Sequence, residues 1–69
     1  MTPDDFKAWR EAMGFNQSEA AAALGVSTGT VVNYEAGKRR EDGRPVRIPL
    51  SIALACSALF HRLKPWNRD

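Results

Sequence analysis

Residues 16–37 hold two helical segments back to back, each opened by a small polar residue and closed by glycine. Asn16 precedes Gln17 to Leu24 and Gly25 follows them; Ser27 precedes Thr28 to Ala36 and Gly37 follows. Asparagine and serine cap a helix by accepting a hydrogen bond from a first-turn amide, and glycine supplies the left-handed backbone that a helix end requires. Helices this short are not stable alone, so the pair must pack against something else. In the second segment Val31 and Tyr34 fall on the inward side together with Val26, which leaves Thr28, Gly29, Val32 and Asn33 facing out. A helix fits the major groove of B-DNA, where each base pair shows a distinct set of donors, acceptors and methyls. Short polar groups on an outer helix face suit that task.

The flanking sequence predicts two more helices. Thr2 can cap a first helix running from Pro3 to Met13, with Asp4 and Asp5 favourable to its amino-terminal dipole and Gly14 to end it. Phe6, Trp9 and Met13 are spaced i, i+3, i+7, the apolar stripe of a helix facing a core. Glu19 lies three residues after Asn16, completing a capping box. Ala20, Ala21, Ala22 and Ala23 leave little side-chain volume, so Trp9, Phe15 and Trp66 are expected to fill the space beside them. A fourth helix opens at Pro49 and runs to about Lys64, where Pro65 stops it. It is apolar nearly all round, and a chain of 69 residues can cover only one side of it. The other side is expected to meet a second copy, through Leu50, Leu54, Ala58, Phe60, His61 and Trp66. The fold class is therefore all-α: a compact bundle of four to five helices in one domain spanning residues 1–69, with the fourth helix as a dimer interface.

Between the third and fourth helices lies a basic connection. Lys38, Arg39, Arg40, Arg44 and Arg47 are five of the ten basic residues and share a ten-residue window whose net charge is +3, although the whole chain carries only +2. A phosphate backbone attracts such a cluster through counterion release, whatever the base sequence. Asp42-Gly43 is a turn signal and Pro45 argues against a central strand, so the segment reads as an ordered loop or a short hairpin.

Composition narrows the remaining classes. With 43% hydrophobic and 26% charged residues the chain is globular, and at this length it buries only about 60% of its unfolded surface. Cys56 is the single cysteine and His61 the single histidine, which argues against a zinc site and against a disulfide framework. His61 reads as a surface or dimer-edge residue. No cofactor is expected, and a cytoplasmic location is. Met1 to Asp5 lack the basic and apolar runs of a signal peptide, and no apolar stretch reaches membrane-spanning length. Ser18 and Ser57 have no histidine partner at an interpretable spacing, so nothing points to catalysis.

Arg10-Glu11-Ala12-Met13-Gly14-Phe15-Asn16-Gln17-Ser18-Glu19, then Leu24-Gly25-Val26-Ser27, then Val31, Tyr34-Glu35 and Gly37 together resemble the Xre/Cro-type helix-turn-helix family. The resemblance covers roughly residues 4 to 40. More loosely, Gly43-Arg44-Pro45-Val46 leading into Ile48-Pro49 resembles the small anti-CRISPR-associated autorepressors. The wider family implies a dimeric bacterial or phage repressor on an inverted-repeat operator in double-stranded DNA. It places Gln17, Ser27 and Thr30 among phosphate contacts and Thr28, Val32 and Asn33 where bases are read. It also implies a partly buried ion pair between Arg10 and Glu35. The basic residues Lys38, Arg39, Arg40, Arg44 and Arg47 would grip flanking phosphates or probe a minor groove.

The chemistry agrees with that placement. Asn33 can pair bidentately with adenine, Thr28 can bond a base or a phosphate, and the Val32 methyls can meet a thymine methyl. Gly29 stands where the family commonly has a polar reader, and Ala20 where a larger aliphatic residue is usual. Gly29 either lets the helix backbone approach the groove or merely loosens the helix start. No arginine or lysine lies in 28–36, so specificity is expected to lean on adenine and thymine steps, on DNA shape or on the loop arginines. An alternative reading keeps the fold but makes it a protein-binding module, an antitoxin or inhibitor that docks through its apolar fourth helix.

Overall fold

Capping chemistry sets the helix starts in the computed structural model, which describes residues 1–67. The four helices are α1 (Pro3–Met13), α2 (Gln17–Leu24), α3 (Thr28–Ala36) and α4 (Leu50–Phe60). Thr2 Oγ1 accepts from the Asp5 amide at 3.0 Å while Asp5 Oδ2 accepts from the Thr2 amide at 2.9 Å, a complete capping box. Those bonds, the backbone one first, hold the Asp5 carboxyl below its usual pKa. The stabilisation they bring is present above the unfolded-state pKa and is lost as pH falls through the folded-state one. At α2 the same box recurs: Asn16 Oδ1 accepts from the Glu19 amide at 2.8 Å and Glu19 Oε1 from the Asn16 amide at 2.9 Å. Ser27 Oγ accepts from the Thr30 amide at 3.1 Å to start α3. Gly37 closes α3 with φ of +73°, and a β-carbon there would lie 3.3 Å from Pro3 Cγ. Both the backbone conformation and the close approach of α1 favour glycine.

Phe6, Trp9, Ala20, Ala21, Val31, Tyr34 and Cys56 form the buried core. Phe6 on α1 meets Trp9 at 5.4 Å and the edge of Tyr34 from α3 at 5.6 Å between ring centroids. Trp9 in turn meets Phe15 edge-on at 6.0 Å, so two of the three aromatics expected near the alanine run do close over the core. Trp66 does not. It is 96% exposed: it lines an open surface groove with Ala23 and Leu24 of α2 rather than filling the core.

The structure also corrects the length of α4, which ends at Phe60 rather than near Lys64, with Pro49 as its cap rather than inside it. Arg62 takes a left-handed φ of 58°, and the Leu63 amide bonds back to the Ala58 carbonyl at 2.8 Å. This is the wrapped end that usually carries glycine. Pro65 disfavours helical backbone at Lys64, so the helix has to end before that residue, and the wrap at Arg62 ends it at Phe60. Within α4 Cys56 is buried, with Ile52 and Leu59 half-buried against the core, whereas Leu50, Leu54 and Phe60 stand in solvent. None of the helices is long and apolar enough to cross a membrane.

Burial pushes the Cys56 thiol up to about 11. At neutral pH it is a protonated, inaccessible thiol, and the thiolate is the reactive form. We expect Ellman's reagent to leave Cys56 untouched in the folded protein and to react within minutes once denaturant is added. Stoichiometric labelling without denaturant would place Cys56 outside the core.

The basic connection is a short hairpin. Lys38 and Pro45 form an isolated antiparallel bridge. The Arg39 amide donates to the Arg44 carbonyl at 2.8 Å, the Gly43 amide to the Arg39 carbonyl at 2.9 Å and the Val46 amide to the Gly37 carbonyl at 3.1 Å. Asp42 Oδ1 accepts from the Arg44 amide at 3.0 Å and shapes the tip. Val46 and Ile48 are half-buried against the core and anchor the base of this arm.

Candidate nucleic-acid interface

The outer side of α3 and the arm beside it bring the sequence-predicted site residues together. Along α3, Val31 and Tyr34 are buried, as their spacing predicts. Thr28 and Gly29 are exposed; Thr30, Val32 and Asn33 are half-buried. The first turn of α3 carries no acidic residue, unlike α1 with Asp4 and Asp5 and α2 with Glu19. Its positive dipole end is thus left uncompensated, which favours an approaching phosphate. A β-carbon on Gly29 would meet only Ser27 Oγ at 3.9 Å, so nothing within the fold requires glycine there.

Several predicted phosphate-contacting side chains already have work inside the fold. Ser27 Oγ caps α3 and also lies 2.8 Å from Thr30 Oγ1. Gln17 Nε2 donates to Glu35 Oε1 at 3.4 Å. Glu35 is held far more strongly by Arg10, whose Nε meets Oε2 at 2.6 Å and whose second terminal nitrogen meets Oε1 at 3.0 Å. The remaining Arg10 nitrogen donates to the Phe15 carbonyl at 3.0 Å. One guanidinium therefore ties α1, the α1–α2 turn and α3 into a fixed frame, and the bond to Glu35 raises the Arg10 pKa further.

All five basic residues of the arm are exposed. Arg39 Nε lies 3.5 Å from Glu41 and 3.9 Å from Asp42, and Arg44 Nε lies 3.5 Å from Asp42. Lys38, Arg40 and Arg47 make no ion pair among the described residues. The Arg40 amide donates to Asn33 Oδ1 at 3.3 Å, joining the arm to the last turn of α3. Sequence reasoning missed both the internal pairing of Arg39 and Arg44 and this link. The first was readable from Glu41 and Asp42 standing between the arginines; the second spans seven residues and left no local signal.

The helix-turn-helix family model matches residues 6–41, just over half of the chain. The chain belongs to the Xre/Cro-type helix-turn-helix family. This is a family of DNA-binding transcription regulators rather than enzymes, with α2 and α3 as its two-helix unit. In this helix-turn-helix protein the match takes in the Arg10–Glu35 frame, all of α3 and the rising limb of the arm. Arg44, Arg47 and α4 lie beyond it. No curated protein and no solved structure matches the chain.

Proposed function

We propose that this regulator is a transcriptional repressor, working in the bacterial cytoplasm as a single-domain homodimer on an inverted-repeat operator. Each copy lays α3 in the major groove, so that Thr28, Gly29 and Val32 face base edges, with Asn33 at the rear of the same face. Lys38, Arg39, Arg40, Arg44 and Arg47 contact phosphates beside each half-site, and Gln17, Ser27 and Thr30 sit at helix starts close to the backbone. The observation that carries this reading is the open, acid-free start of α3 together with the exposed cationic arm joined to the last turn of the same helix. Gly29 supports it, since a residue that packing does not require is explained by close approach of the helix backbone to the groove. The continuation from Gly43 into α4 supports an autorepressor of the anti-CRISPR-associated kind, encoded by a phage or its host.

The test is footprinting on duplex DNA from upstream of the protein's own gene. Two protected half-sites with centres about 34 Å apart, or a multiple of that distance, are expected. Thr28→Ala is expected to weaken binding to the protected sequence by about 1 kcal/mol while leaving a mixed-sequence duplex unaffected. An equal loss on both would remove Thr28 from base reading. The exposed apolar side chains of α4 favour one second reading, in which that face docks on a foreign protein as in an antitoxin or inhibitor. The mass in solution separates the two, because a purified monomer leaves that face for another partner.

A further inference from the structure

We propose that Asn33 is a positioning residue, which fixes Arg40 against α3 and so sets where the arm's unpaired tip arginine meets a phosphate. The proposal rests on the DNA-binding reading above. It begins with the hydrogen-bond bookkeeping of the arm. The Arg39 and Gly43 amides find acceptors within the hairpin, and the Arg44 amide finds one in Asp42. The Arg40 amide has no hairpin acceptor; its bond runs to Asn33 Oδ1 at 3.3 Å. A backbone donor can be met there only by the oxygen of the side-chain amide, so the chemistry itself settles which way the group points.

Two further facts give the bond a functional sense. Of the three tip arginines, Arg39 and Arg44 face carboxylates of Glu41 and Asp42, and Arg40 faces none among the described residues. The link thus acts on the arginine whose charge is available to a phosphate. It also bridges the turn at Gly37, where the chain leaves α3 and no other hydrogen bond among the described residues ties the tip back to the helix. The base of the arm is anchored by Val46 and Ile48, and among the described residues Asn33 supplies the hydrogen bond that holds the tip to α3. The bond takes one of the two lone pairs of Oδ1 and fixes the plane of the amide, so any contact Asn33 makes to a base is made from that orientation.

Two measurements test it. In the free protein, Asn33→Ala is expected to speed exchange of the Arg40 amide about two- to tenfold, as for one hydrogen bond of ordinary strength. On a mixed-sequence duplex, Arg40→Ala is expected to flatten the dependence of log K on log salt by about 0.9. Asn33→Ala should reproduce most of that flattening, and the double variant should be no flatter than Arg40→Ala alone. A purely structural role for Asn33 would lower the melting temperature without moving that slope. If Asn33→Ala leaves both the slope and Arg40 exchange unchanged and weakens only operator binding, Asn33 reads bases and the proposal fails. Should the alanine variant not fold, Asn33→Leu removes the acceptor at similar volume, and Asn33→Asp keeps one and must retain Arg40 protection. Absence of any duplex binding by the unaltered protein at low salt would overturn the DNA reading, while amide exchange would still report on the link.

Discussion

Arg10→Ala is expected to cost about 3 kcal/mol of folding stability, close to the whole of what a small domain has to lose. The reason lies with the partner left behind. The Glu35 side chain is only 6% exposed, and Arg10 supplies donors to both of its oxygens, at 2.6 and 3.0 Å. Without the guanidinium, Gln17 at 3.4 Å is the one side-chain donor left to a nearly buried charge. The Phe15 carbonyl loses its donor as well, which leaves the turn before α2 tied to α1 by backbone bonds alone. The figure sits at the low end for such a pair because the Arg10 side chain keeps 17% of its surface in water. A thermal melt followed by circular dichroism should fall by more than about 12 °C. Arg10→Met combined with Glu35→Leu should recover much of the loss, since an apolar pair leaves no charge unpaired. A loss under about 1 kcal/mol for Arg10→Ala would mark the pair as an ordinary surface contact. The direction of the Arg10 shift adds a pH statement: a raised basic pKa gives stabilisation that is complete below the unfolded value and is lost only as pH rises through the folded one. The contribution of this group is therefore fully present, and constant with pH, at neutral and mildly alkaline pH.

Arg10 and Glu35 were legible because the family resemblance names them, whereas the helix limits were legible from chemistry within a few residues. Thr2, Asn16 and Ser27 each satisfy amides three residues on, so their effect is written locally. The end of α4 was harder. Its apolar pattern runs past Phe60 to Leu63, and the wrapped end at Arg62 uses a backbone conformation that arginine rarely adopts. Trp66 was only partly legible: the tail brings it to the groove beside Ala23 and Leu24, but Ala20 and Ala21 are already covered and the indole stays in solvent. Asn33 shows the limit for the site. Its position on the outer face of α3 follows from helical period, but the partner of its oxygen depends on how the arm folds back.

Leu54→Glu is expected to convert the proposed dimer to a monomer and to weaken operator binding by about 10²- to 10⁴-fold, the advantage conferred by linking two half-site contacts. The segment Leu50–Phe60 contains no charged residue, yet Leu50, Leu54 and Phe60 are 74%, 61% and 55% exposed. Beyond it Leu63 and Trp66 are exposed too, and with Ala23, Leu24, Leu54 and Ala58 they line an open groove of about 410 Å³. His61 caps the end of α4 with its ring edge-on to Phe60 at 5.4 Å. A second copy presents the same uncharged helix, so a two-fold pairing matches apolar surface to apolar surface, with Lys64 at the edge of the groove left to reach water. Glutamate at position 54 would bring two carboxylates into that dry seam, where neither has a partner. In the monomer the same side chain lies mostly in water, so its fold is expected to lose little. Sedimentation equilibrium reads the association, and a melt of the variant below the dissociation concentration checks the fold. Per-copy binding to a mixed-sequence duplex should hardly change, because α3 and the arm lie outside the substituted face. A variant that remains dimeric and keeps its operator affinity would move the two-fold axis off α4 and return the exposed leucines to a foreign partner.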